Sequence, residues 1–285
     1  MSSRSSRNTI SGIIAIVLTI LAMVWTLLPI WWTFQTSISP EADMTSVPPR
    51  WFPSKVNLSY YWSLLFEKAG TVTAFRAGTL NSLVIGIAVS TISILLGSLA
   101  AYAIARLGVL SGKWVILLLL FAQMIPPAIL VTALYVIALK LGLLNTRLLL
   151  IIIYTALSLP MTIWILRGYF LTVPLEIEES ALIDGCSPPQ ILFRIVLPLS
   201  RSALFATGVF TFISCWGEFL MALIFTSDLS AKTIPVVIAE LMGRFTVDYG
   251  LMCTAGIITS IPPVLLALLF QRLLIQGLTS GAVKG

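Results

Sequence analysis

Glu179-Ser180-Ala181-Leu182-Ile183-Asp184-Gly185, followed by Ile195-Val196-Leu197-Pro198, is a polar, turn-containing stretch set between long apolar runs. A chain that keeps such a loop between greasy segments uses it to touch something in water. Pro174 suits the first turn of a helix, and Glu176, Glu178 and Glu179 fall where negative charge meets the positive end of the helix dipole. The spacing predicts a short helix over about 174–184, ended by Gly185, which enters the left-handed region without a Cβ penalty. Ser187-Pro188-Pro189-Gln190 then restarts a helix, with Ser187 as cap, Pro188 at the first position and Gln190 reaching back. The expected object, residues 174–198, is two helices meeting at a sharp corner, the second broken at Pro198. At 100° per residue the acidic and apolar side chains of the first helix do not separate into two faces. That suits insertion into a protein cleft better than a lipid surface.

Outward from the corner the chain is almost uncharged. Of 285 residues, 58% are hydrophobic and 10% charged, with a mean hydropathy of +1.03, too apolar for a soluble domain. Crossing a hydrocarbon core takes about 20 apolar residues per helix. Runs of that size lie between Arg7 and Glu41, Arg76 and Arg106, Lys113 and Lys140, Arg147 and Arg167, Arg201 and Asp228, and Asp248 and Arg272. Unbroken runs argue for helices over a barrel. We therefore expect an all-α integral membrane protein, a single transmembrane domain over 1–285 with six spans near 10–36, 79–106, 114–139, 147–170, 199–226 and 250–274. The first run exceeds a signal-peptide core and lacks a small-x-small cleavage site, so it is read as a retained helix.

The net charge of +6 is scattered singly between spans, which points to the lipid bilayer and to orientation rather than to nucleic acid. Arg106 and Lys113 flank a very short loop and place both termini in the cytoplasm. Cys186, Cys215 and Cys253 are odd in number and read as free thiols. Histidine is absent, so neither a metal site nor a catalytic base is expected.

Between the first two spans, Pro48-Pro49-Arg50-Trp51-Phe52-Pro53 reads as an extended strip, with a short helix beginning near Asn57 or Ser59. Such a strip suits either a partner surface or an interfacial aromatic belt. Pro126-Pro127 removes two ladder donors from the third span, which predicts a kink and fits a helix lining a pathway. Glu218 is the one acidic residue inside a span, a functional candidate or a structural one. Glu218, Trp216, Pro126 and Gln123 form the candidate pathway set.

The corner's spacing, E-(A/S)-A-x3-G-x9-I-x-L-P, resembles the cytoplasmic signature loop of permease subunits of ATP-driven (ABC-type) importers, with Ser180 in place of the usual first alanine. Further segments resemble the MalG-like permeases of carbohydrate importers: Asn81-Ser82-Leu83, Ala100-Ala101-Tyr102-Ala103-Ile104-Ala105-Arg106, Val173-Pro174-Leu175-Glu176, Trp216-Gly217-Glu218-Phe219-Leu220, Thr233-Ile234-Pro235-Val236 and the tail Gly277–Gly285. Gly217 stands where that family often has asparagine. The resemblance implies the type I importer permease fold in the cytoplasmic (inner) membrane of a prokaryote, translocating a sugar, polyol or oligosaccharide. It implies as partners a second homologous permease, two ATP-binding subunits and an extracytoplasmic solute-binding protein. Glu178, Glu179, Ser180, Ala181, Asp184, Gly185, Ile195, Leu197 and Pro198 would dock on the ATPase, Thr279, Ser280, Gly281 and Lys284 of the tail would also reach it, and residues 227–250 would meet the binding protein.

The chain has no glycine-rich loop ending in Lys-Ser/Thr, so it needs no cofactor of its own, and ATP and Mg are expected in the partner subunits. An intramembrane enzyme would need paired polar groups at one depth, and the spans hold a single carboxylate. A permease for a polyol phosphate, polyamine or osmolyte is the nearer rival; for phosphate, intramembrane Arg or Lys would be expected.

Overall fold

The computed structural model describes residues 2–67, 70–108, 112–241 and 248–282, with side chains for residues 12–271 of these except Lys113. Among them there is helix, turn and bend but no strand, as apolar runs without alternation require.

One compact unit comprises residues 1–73 and 240–259. Its first helix, α1 (Ser2–Ser37), exposes Ile, Leu, Val and Trp all round over Gly12–Ser37, as a helix facing lipid does. A folded segment follows, with α2 (Glu41–Met44) and α3 (Ser59–Phe66). The expected extended strip at 48–53 is instead a series of bends drawn around Asp43. Asp43 Oδ2 accepts from Ser54 Oγ at 2.6 Å and Ser54 N at 2.7 Å, and Oδ1 pairs with Arg50 at 3.1 Å. Those bonds from Ser54, with Arg50 adding to them, hold the Asp43 carboxyl below its usual range against the opposing effect of burial. Asn57 accepts from Ser59 N at 3.0 Å and starts α3 where the sequence places it.

The second unit comprises residues 74–239 and 260–285. Helix α4 (Gly70–Arg106) has 37 residues, ~55 Å of helix and well beyond a ~30 Å core, so it begins nine residues before the expected span. Helices α5 (Gly112–Gln123) and α6 (Pro127–Lys140) meet at 87° around Met124–Pro126. The proline pair thus produces a right-angled break instead of a kink in one rod, because Pro126 takes an extended conformation and Pro127 starts the next helix. Helix α7 (Arg147–Phe170) is continuous and starts on a Thr146 side-chain cap.

The corner follows as α8 (Leu175–Ile183) and α9 (Pro188–Leu199), the latter π-helical over Leu192–Val196. Here the sequence expectation fails by two residues. Pro198 does not break the second helix, which runs on to Leu199 and turns by 80° at Ser200 into α10 (Arg201–Trp216). The π turn upstream widens the backbone ladder, so a residue without an N–H is accommodated there.

The fifth apolar run is also broken: α10 stops at Gly217, and α11 (Leu220–Phe225) resumes it. After α12 (Ile234–Glu240), α13 (Tyr249–Ala282) runs through Pro262 and Pro263. Among the described residues four helices are long and apolar enough to cross a membrane singly, and up to six crossings result if each bent pair counts as one.

Small residues set how closely this unit packs. A Cβ on Gly97 of α4 would stand 2.5 Å from Thr162 Cγ2 of α7, and one on Gly208 of α10 would stand 2.8 Å from Ile94 Cδ1 of α4. The turn after α11 is tied down by side chains from α4 and from the link between α6 and α7. Asn81 donates to the carbonyls of Leu229 and Lys232 at 3.0 and 2.8 Å, and Ser82 accepts from Ile234 N at 2.9 Å. Asn145, at a φ of 59°, accepts from Ser227 N and Asp228 N and donates to Asp228.

Candidate functional site

Two places in the second unit concentrate polar chemistry: the corner and a cavity among the spans. At the corner, Gly185 has a φ of +85° and open space where a Cβ would sit. It is needed for its conformation alone. Ser187 N donates to Gln190 Oε1 at 2.8 Å, the reach-back that starts α9.

The structure sorts the corner residues into two sets. Glu179, Ser180, Leu182, Ile183, Asp184 and Gly185 are exposed, with Ile183 at 87% and Leu182 at 52%. Phe193 and Pro198 are exposed on α9. Glu178, Ala181, Ile191, Leu192 and Val196 are buried, and Ile195, Leu197 and Cys186 pack against the same cluster, together with Ala101 and Tyr102 of α4 and Leu166 and Phe170 of α7. Glu178, expected on the docking face, is held inside this chain instead. Its Oε1 accepts from Arg106 Nε at 2.7 Å and its Oε2 from Tyr102 Oη at 3.0 Å.

The cavity has a volume of about 350 Å³ and is lined by Gln123, Tyr154, Ser158, Thr211, Ser214 and Glu218, with Leu157, Met161, Phe210 and Cys215 as its apolar walls. Glu218 sits in the break between α10 and α11 and caps α11. Its carboxylate accepts from Met221 N at 2.8 Å, from Ala222 N at 3.2 Å and from Tyr154 Oη at 2.5 Å. The orphan amides of a helix start in mid-run are thereby satisfied without water, and the charge meets the favourable dipole end.

Of the four pathway candidates, the structure brings Glu218 and Gln123 onto this cavity. Trp216 is buried and stacked on Phe212, with centroids 5.5 Å apart, and Pro126 lies at the bend between α5 and α6, off the lining. Sequence reasoning passed over Tyr154, Ser158, Thr211 and Ser214. Their signal was the helical spacing of hydroxyls in apolar runs: Tyr154 and Ser158 are four apart, Thr211 and Ser214 three, and Ser214 and Glu218 four. Tyr102 and Arg106 carry the same four-residue signal. Of the tail candidates, Thr279, Ser280 and Gly281 continue α13, and Lys284 lies outside the described residues. Among the described residues no cluster of metal-ligating side chains occurs.

Residues 93–280, which carry both the corner and the cavity, match the family described as binding-protein-dependent transport system inner membrane component. The chain belongs to this family. As an inner-membrane component of such a system it is a transport subunit rather than an enzyme, and a multi-pass protein of the inner membrane. It is 33% identical over 257 residues, 90% of this chain and 88% of the relative, to the sulfoquinovosyl glycerol transport system permease protein SmoH of Agrobacterium fabrum. With the trehalose/maltose transport system permease protein MalG of Thermococcus litoralis it shares 40% over 212 residues, 74% of this chain and 76% of the relative. The fold matches a chain of a bacterial ABC transporter involved in the import of the acidic polysaccharide alginate, with a TM-score of 0.79 at 21% identity over 95% of this chain and 98% of that one.

Proposed function

We propose that this chain is the permease subunit of an ATP-driven importer that carries a sugar or a related polyol or oligosaccharide inward across the cytoplasmic membrane. The observation that carries the coupling half of this reading is the two-sided corner: one face packed into the spans, the other presenting Glu179, Leu182, Ile183, Asp184 and Gly185 to solvent. An exposed apolar tip rimmed by carboxylates suits insertion into a cleft of a second protein. The occupant of that role is an ATP-binding subunit, two per transporter, with ATP and Mg bound there. A second homologous permease completes the membrane part, an extracytoplasmic binding protein delivers solute to the opposite side, and both termini lie in the cytoplasm with the corner.

Closure of the ATPase pair on ATP moves the docked corner, and the cavity alternates between the two sides of the membrane through contacts that differ in the two states. The carbohydrate half is supported by the sugars named for the relatives and by a cavity lined by hydroxyls, one amide and one capped carboxylate, with no cation among its described lining residues. Such a lining hydrogen-bonds neutral polyols and offers a phosphate no cation to balance its charge.

The test uses the complete transporter. Glu179→Lys and Gly185→Pro leave the chain in the membrane but abolish co-purification with the ATP-binding subunit or solute-stimulated ATP hydrolysis. Full coupling in both variants refutes the docking reading, and failure of the unmodified complex to take up any sugar offered on its binding protein refutes the cargo.

A further inference from the structure

Arg106 ends α4, a helix with no covalent link to the corner. The chain enters the corner from α7 and leaves it into α10. Even so, one side chain of α4 reaches across the whole entry. Arg106 Nη2 donates to the carbonyls of Phe170 and Val173 at 2.8 and 2.6 Å, one the last residue of α7 and the other in its link to α8. Nε of the same guanidinium donates to Glu178 in the first turn of α8, and Tyr102, one turn earlier on α4, donates to the other oxygen of that carboxylate. Side-chain exposure is 12% for Arg106 and 4% for Glu178, so water hardly competes for these bonds. The planar fork of arginine is what allows three acceptors on two elements to be held at once, and a lysine offers a point charge in its place.

We propose that Arg106 is a positioning residue for transport: with Tyr102 and Glu178 it clamps the inner end of α4 to the corner, so that α4, the end of α7 and α8 move as one body. This rests on the reading of the corner as the ATPase-docking element. A corner held only by its covalent ends would pass displacement to α7 and α10. The clamp adds α4, the longest helix among the described residues and one that packs on both α7 and α10. Two adjacent carboxylates, about 100° apart around α8, thereby serve different faces, with the exposed Glu179 turned to the partner and the buried Glu178 carrying the load into the spans.

The experiment uses the assembled transporter in lipid discs, with the three native cysteines replaced by serine and spin labels at Leu107 and Leu175, which are both exposed, line the small cleft beside the clamp and lie outside the docking tip. The expected label distance is the same in the nucleotide-free and vanadate-trapped complexes. Arg106→Ala is expected to make the distance differ between the two states and to lower binding-protein-stimulated ATP hydrolysis roughly 2- to 30-fold, the range for a residue that carries coupling without touching either ligand. If Arg106→Ala does not assemble, Arg106→Lys, which keeps the charge but not the fork, shows the same loss in part. A distance that changes with nucleotide in the unmodified chain overturns the proposal, as does stimulation equal to the unmodified level in either variant. The distances are read without solute, so a complex that imports no sugar counts against the cargo alone. An uncoupled Arg106→Ala beside fully coupled Glu179→Lys and Gly185→Pro keeps the clamp and removes the docking assignment.

Discussion

The clamp has a thermodynamic signature separate from its role in coupling. Arg106→Ala leaves Glu178 as a buried carboxylate with Tyr102 as its remaining side-chain donor, and strips the carbonyls of Phe170 and Val173 of their side-chain partner. Removing one member of a buried pair costs about 3–5 kcal/mol, against roughly 0–1 kcal/mol for an exposed pair. Glu178→Ala leaves a guanidinium that still holds two carbonyls, so its cost falls at the lower end, about 3 kcal/mol. The double alanine variant buries no orphan charge, only a hydroxyl and two carbonyls. Its cost should fall short of the sum of the single costs by about 2–3 kcal/mol, roughly 30- to 150-fold in the unfolding constant at 1.4 kcal/mol per tenfold. Equilibrium titration of the purified chain from mixed micelles into denaturing detergent, followed by tryptophan fluorescence, gives all four corners of the cycle. Additivity within ~0.5 kcal/mol refutes the buried-pair account, and so do single costs in the range of an exposed pair.

Gly185→Ala should cost about 1–2 kcal/mol and Gly185→Asn less, because a Cβ there meets nothing and only the left-handed backbone is at issue; the same titration checks this, and Gly185→Val no worse than Gly185→Ala would contradict it. Gly97→Ala drives a methyl toward Thr162 Cγ2 at 2.5 Å and is expected to cost about 1–3 kcal/mol, most of it recovered in Gly97→Ala/Thr162→Ala. Asp43 has its carboxyl lowered by Ser54 and then Arg50, so its contribution is present above the ordinary carboxylate value of about 3.9 and is lost as pH falls through the lower folded value. Protease resistance of residues 40–58 should therefore hold from neutral pH down to about 4 and fall only below that, while Asp43→Ala is cleaved faster at neutral pH and without this dependence.

Spacing and capping rules were enough for the corner's two helices, its Gly185 and the Ser187–Gln190 start, because each of those is decided by residues within one turn. The same local rules misplace the end of the second helix, since the π turn at Leu192–Val196 that lets Pro198 pass is a property of several residues packed together. Hydropathy found the six apolar runs but treated each as a rod. The break at Met124–Pro126 comes from the proline pair itself, whereas the break at Gly217 has a partner far away in sequence, Tyr154, bonded to the Glu218 cap. The spacing motif begins at Glu179 and is silent on where Glu178 is held. Glu178 is paired with a residue 72 positions earlier, and only the packed structure brings that residue near.

Glu218 shows how far a lone intramembrane carboxylate is committed before any ligand arrives. Two oxygens offer about four acceptor positions, and two amides and a phenol already occupy three of them. The charge is matched to the first turn of α11, and the break at Gly217 depends on it, since without the carboxylate the amides of Met221 and Ala222 would face an apolar run unpaired. What remains for a passing solute is at most one acceptor on Glu218, the amide of Gln123, the hydroxyls of Ser158 and Thr211, and the lone pairs of Ser214, whose proton goes to the Phe210 carbonyl at 2.9 Å. A lining whose charge is used by its own backbone and whose free groups are neutral favours ligands that carry hydroxyls over ligands that carry charge. The residue that first stood out as the pathway's charge thus keeps the pathway's shape and leaves recognition to uncharged neighbours.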